Sequence, residues 1–145
     1  MRFRHLLATS PDPAILLIRL AVGVVFLSEG AQKFLFPAEL GAGRFAKIGL
    51  PMPEFLGPFV GTFEIGCGLL VLLGLFTRLA GLPLLLIMLT AIASTKVELL
   101  ADKGFWGMLH DSRTDWAMLL SSLFLLLKGG GKWSADARLA GGKYD

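Results

Sequence analysis

The stretch RLAVGVVFLSEGAQKFLF, residues 19–36, is apolar enough to enter a bilayer, yet it carries Arg19, Glu29 and Lys33. A spanning helix takes roughly 20 apolar residues at 1.5 Å each. Charge inside such a span is costly, so ionisable groups there must pair, face other helices or line a wet cavity. Reading this stretch as a membrane helix therefore sets two questions at once: what surrounds it, and where its charges go.

The rest of the chain supplies the surroundings. Of 145 residues, 54% are hydrophobic and only 17% are charged, with a mean hydropathy of +0.69. Soluble domains carry about 25% charge, so the composition is that of a membrane protein, with room for one compact unit. Four apolar segments stand out, at about 13–36, 55–76, 79–97 and 114–127. The fold class expected is all-α, a transmembrane four-helix bundle forming a single domain over 1–145. A buried soluble bundle fits poorly, because GLLVLLGLF and GLPLLLIMLTAIA are apolar all round. The fourth segment is short for a span, so its outer end is expected to sit deep, with GFWGML (104–109) lying along the interface.

The breaks read as connections. Residues 36–54 and 98–113 form two sizeable loops, Thr77 and Arg78 make a tight turn, and 128–145 is a flexible exit followed by a short surface helix with Ser134 as N-cap. GPFVG (57–61) has the spacing of a close-packing motif inside the bundle. MRFRHLL starts on a basic note, but the apolar run after it is too long for a signal peptide; residues 1–12 read as a short cytoplasmic tail.

Four spans place both termini on one side, together with Arg2, Arg4, Arg78, Lys128, Lys132, Arg138 and Lys143. The other side holds Arg44, Lys47, Lys103 and Arg113, diluted by Glu39, Glu54, Asp102 and Asp111. The basic excess favours cytoplasmic termini. With that orientation Glu29, Lys33, Glu64, Lys96 and Asp115 gather in the outer half of the bundle. Arg19 belongs to the same set of intramembrane charges but sits deeper. His110 and Trp116 lie beside the cluster as ligand-adjacent candidates. Two readings stay open: ion pairs that only fix helix packing, or a polar pocket that binds something.

Other chemistries lack support. The scattered basic residues without interleaved aromatics argue against nucleic acid as a partner. His5 and His110 fall on opposite sides of the membrane, and no Cys/His cluster suggests a metal. The lone Cys67 has no internal disulfide partner, and no nucleophile–base pair or phosphate-binding glycine loop is visible, so catalytic residues are unknown.

Three stretches together resemble the DoxX family of small four-helix membrane proteins: RLAVGVVFLSEGAQKF (19–34), FEIGCGLLVLLGLFTRLAG (63–81) and KGGGKWSADARL (128–139). The likeness extends over about 14–139, and Arg19, Lys33, Glu64, Arg78, Trp133, Ser134 and Asp136 fall on family positions. The resemblance implies a multi-pass protein of the bacterial inner membrane. It also implies a link to redox work such as thiosulfate:quinone oxidation or oxidative-stress complexes, with quinone as the one cofactor class it brings into view. Three functions follow as expectations. The first is a small subunit of a larger, redox or quinone-linked membrane complex, with partner subunits besides the lipid bilayer. The second is a proton-coupled exporter of lipophilic cations, which wants a carboxylate that Lys33 and Arg19 do not neutralise. The third is a purely structural or assembly protein.

Overall fold

The computed structural model describes residues 7–141, and among them there are helices and no strands. The first helix, α1 (Ile15–Leu35), begins just after Asp12, whose carboxylate accepts from the Ala14 N–H at 2.8 Å. It ends where Phe36 precedes Pro37, since a residue before proline is pushed out of the helical region. Its 21 residues span about 32 Å, matching a hydrocarbon core of about 30 Å. A short helix, α2 (Ala42–Lys47), follows inside the first long connection.

The next span, α3 (Pro53–Leu73), opens with proline at its first position, where a missing N–H costs nothing. It closes in a Schellman motif: Leu75 N–H donates to Leu70 O at 2.9 Å and Gly74 N–H to Val71 O at 3.0 Å, with Gly74 at φ 67°. Then come α4 (Thr77–Asp111), α5 (Arg113–Lys128) and the short α6 (Ala135–Leu139).

The four long helices close a ring in which α1 packs most extensively on α3 and α5 on α4, with lighter contacts between α3 and α4 and between α1 and α5. Glycines let α1 and α3 touch. A Cβ added at Gly30 would meet Gly61 O at 2.7 Å, a backbone approach that only small residues permit between membrane helices. Val22, Phe26, Val71, Leu84 and Leu125 fill the centre, fully buried. Leucines and phenylalanines cover the outside as well, Leu17 and Leu73 among them. An apolar exterior of that extent suits lipid rather than water. Three helices, α1, α3 and α4, are long and apolar enough to cross a membrane, whereas α5 at 16 residues reaches about 24 Å.

Several sequence expectations need correction. The loop expected at 98–113 is helical, because α4 continues to Asp111 with one break at Gly104, where φ is 71° and ψ 179°. The run VELLAD favours helix by composition, and only the glycine interrupts it. Lys103 Nζ and Asp111 Oδ2, 2.7 Å apart, bridge that break. The turn between α3 and α4 lies at 74–76, not at Thr77 and Arg78, which already belong to α4. The loop expected at 36–54 contains α2, whose Ala42 and Phe45 are buried.

The exit segment is tucked partly into the bundle, although Trp133 and Leu139 remain exposed. Residues 129–131 are buried, as are Asp136 and Ala137 of α6, while Ser134 caps α6 as expected, accepting from Ala137 N–H at 3.1 Å. Within the tail read at 1–12, Thr9 is buried and accepts from Gly131 N–H. Arg2, Arg4, His5 and Lys143 lie outside the described residues.

Candidate functional site

The ends of the bundle differ in chemistry. At the end away from the termini, Glu29 and Lys33 project from the last turns of α1, Glu64 from the middle of α3, Lys96 from α4 and Asp115 from the first turn of α5. All five line one cavity of about 460 Å³. The two most extensively packed helix pairs each carry one ion pair at this level. Lys33 Nζ lies 2.7 Å from Glu64 Oε2, with the side chains only 10% and 5% exposed, and joins α1 to α3. Lys96 Nζ lies 2.7 Å from Asp115 Oδ2 and joins α4 to α5.

The distances have a direct energetic reading. Removing one member of a buried pair costs about 3–5 kcal/mol, because the survivor keeps its charge without a partner. Paired, the charges cancel where hydration is scarce. Lys33 also donates to the Glu29 carbonyl at 3.5 Å, one helical turn back. The Glu29 carboxylate itself is exposed and joins no ion pair among the described residues. Glu29 and Lys33 stand i, i+4 on α1, yet Lys33 pairs with Glu64 instead. Geometry explains the choice: Glu64 faces Lys33 across the glycine-lined seam, where the helices are closest.

Between the two ion pairs the walls are apolar, with Phe26, Phe59, Met88 and Met118 among the lining side chains. The α2 segment covers the end of the cavity through Leu40, Arg44, Phe45, Ile48 and Leu50. Sequence reasoning missed this cover. Its available signal was the spacing of Leu40, Phe45 and Ile48 between the glycines and charges of this stretch.

Other sequence candidates fall elsewhere. His110, at the end of α4, and Trp116, on α5, are exposed and do not line the cavity. Arg19 does not join the cluster at all. Its guanidinium is buried at the opposite end, donating from Nε to Val71 O at 2.9 Å, from Nη2 to Leu72 O, and from Nη1 to Trp133 O at 2.7 Å and Gly130 O at 3.3 Å. Four carbonyls, from the C-terminal turn of α3 and from the exit segment, thus take up this charge. Beside it, the Asp136 carboxylate accepts from Phe76 N–H at 2.7 Å and Thr77 N–H at 2.9 Å, while Asp136 N–H donates to Gly74 O at 2.9 Å. A side chain from α6 thereby caps the start of α4. The packing is tight enough that a Cβ at Gly74 would lie 2.6 Å from Arg19 Cζ. The Arg19 guanidinium and the Asp136 carboxylate at this end are used for fastening, whereas the far end leaves space between its charges.

Among the described residues no group of His, Cys, Asp and Glu is arranged to hold a metal ion. Comparison with known proteins gives a consistent picture. The DoxX family model matches residues 14–97. The protein named "Uncharacterized membrane protein Rv3486", from Mycobacterium tuberculosis, is 51% identical over 142 residues, covering 94% of this chain and 87% of its own length. "Putative oxidoreductase CatD" of Bacillus subtilis is 32% identical over 114 residues, covering 79% of this chain and 78% of its own. No solved structure matches the chain.

Proposed function

The chain belongs to the DoxX family of membrane proteins, and on that premise we propose that it is a small, non-catalytic subunit of a redox-linked complex whose cavity holds the head of a quinone-like amphiphile. The observation that carries this reading is the cavity itself. It is an apolar chamber of about 460 Å³ with a lysine–carboxylate pair on each of two facing walls. The oxidoreductase name of the Bacillus subtilis relative supports the redox link. In the same proposal the protein sits in a bacterial inner membrane with four spans and cytoplasmic termini, so that the cavity lies in the outer half.

The residues suit such a head group. An ammonium has three donors. Lys33 directs its own toward Glu64 and the Glu29 carbonyl, and Lys96 directs its own toward Asp115, so both retain donor capacity for a carbonyl oxygen. The flat apolar walls, Phe26 and Phe59 among them, suit the face of a ring. Bound there, a quinone would supply electron-accepting capacity that the side chains lack, while the chain's part is to hold and orient it and to exclude water.

One observation favours the exporter instead: Glu29 is a cavity carboxylate that joins no ion pair among the described residues. Gentle solubilisation of native membranes separates the two. A stable set of co-purifying redox subunits is expected. An isolated oligomer that binds tetraphenylphosphonium, and loses it on Glu29→Gln, would overturn the subunit reading in favour of the exporter.

A further inference from the structure

A chamber inside a bundle is useful only if something can reach it, and its walls are unequally closed. The far end is covered by residues 37–52, and that cover is seated firmly. Ala42 and Phe45 are buried, Leu50 N–H donates to Phe45 O at 3.0 Å, and a Cβ on Gly57 would meet Ala42 N at 2.7 Å, so α2 lies directly on the backbone of α3. The α1–α3 wall is sealed where Gly30 meets Gly61. The α4–α5 wall is closed at this level by Lys96 and Asp115.

Apart from Arg44, an exposed lining residue on the cover itself, the exposed lining residues fall at two seams between helices. At the seam between α1 and α5 the exposed lining residues are polar, Glu29 and Thr114. At the seam between α3 and α4 they are Phe59, 45% exposed, and Leu86, 54% exposed, with Thr90 one turn further on. The connectivity explains why the second seam exists. Residues 74–76 tie α3 to α4 at one end, while each helix packs more extensively on another partner. Phe59 is held as a fixed edge of this seam, its ring 5.4 Å from that of Phe55 and 4.9 Å from that of Phe63.

We propose that the cavity loads sideways from the bilayer through the α3–α4 seam between Phe59 and Leu86, and that its ligand is therefore an uncharged, membrane-dissolved amphiphile; this route rests on reading the cavity as a binding site. An apolar opening on a lipid-facing surface admits what already resides in hydrocarbon. A charged ligand would have to shed its hydration in the membrane before reaching the opening. Once past Phe59, a polar head meets the Lys33–Glu64 pair on one side and the Lys96–Asp115 pair on the other, while its tail trails into lipid between α3 and α4.

The test uses the full chain in nanodiscs and two photoreactive naphthoquinones, one with a decyl tail and one sulfonated without a tail. Thr90→Trp and, independently, Leu86→Trp narrow the α3–α4 seam, and Thr114→Trp narrows the α1–α5 seam; all three positions are exposed, which favours folding. The tailed probe is expected to label the wild type saturably and the sulfonated probe is not. Thr90→Trp and Leu86→Trp should slow labelling by about tenfold or more, and Thr114→Trp should slow it less than either, since blocking an entry path acts on the association rate. Slowing by Thr114→Trp alone, or preferred labelling by the sulfonated probe, overturns the route but keeps the site. A wild type that is never saturably labelled by either probe removes the site, and the route with it.

Discussion

Asp136 offers the most direct test of how the bundle is fastened. It is 1% exposed and its two carboxylate oxygens each take one backbone N–H, Phe76 at 2.7 Å and Thr77 at 2.9 Å. Both donors belong to the start of α4, where a helix has N–H groups without internal partners. Asp136→Ala strips them of their acceptors. At about 1–3 kcal/mol for each buried donor left unsatisfied, the loss is about 2–6 kcal/mol. Asp136→Asn keeps one carbonyl oxygen and replaces the other acceptor by a donor facing an N–H, so it should lose at least half as much. For a chain of this size 1 kcal/mol corresponds to about 3 °C in Tm, which puts Asp136→Ala about 6–18 °C below the wild type. Tryptophan fluorescence during heating in a mild detergent reads the shift. A change within about 1 °C for Asp136→Ala would refute the assignment of Asp136 as the cap of α4, and Asp136→Asn falling below Asp136→Ala would refute the hydrogen-bond account of it.

Further outcomes follow from the same geometry. Lys33→Ala should destabilise the protein by about 3–5 kcal/mol because Glu64 stays charged and buried, and Lys33→Met with Glu64→Leu should recover much of that; a double-mutant cycle in thermal unfolding checks it, and strict additivity would argue against the pair. Gly30→Leu should prevent close packing of α1 on α3, since even a Cβ there meets Gly61 O at 2.7 Å, and a loss of about 1–3 kcal/mol or more is expected from overpacking in the same assay. Reporter fusions at Lys47 and Lys103 should score outside and one after Lys143 inside; the reverse would invert the proposed orientation and move the cavity to the cytoplasmic half.

The sequence made the helical bundle legible because long apolar runs have few alternatives in a membrane, and residues 13–36 could hardly be anything else. The approach of Glu64 to Lys33 was also legible, from depth along two antiparallel spans. Three things were not. The helical course of 98–111 was hidden by Gly104, which reads as a loop signal but only breaks the helix locally. The cover made by α2 was hidden because a helix of six residues among glycines and prolines carries little periodicity. The place of Arg19 was hidden because its partners are main-chain carbonyls, and carbonyls leave no mark on sequence. A charge in a span invites a search for an opposite charge, and here four backbone oxygens answered instead.

That arrangement around Arg19 also has a timetable. Val71 and Leu72 lie 52 and 53 residues downstream of it, but Gly130 and Trp133 lie 111 and 114 residues downstream. At about 5–20 residues per second, the stretch from Arg19 to Gly130 takes on the order of 6–20 s to synthesise. During that interval α1 enters the membrane with a guanidinium that has at most half of its final acceptors. The bundle becomes electrostatically complete only when the segment after α5 arrives and folds under the ends of α3 and α4. A chain truncated before Gly130 would keep a buried guanidinium in its first helix without two of its four acceptors. Completion of synthesis and completion of the fold are thereby tied to the same few hydrogen bonds.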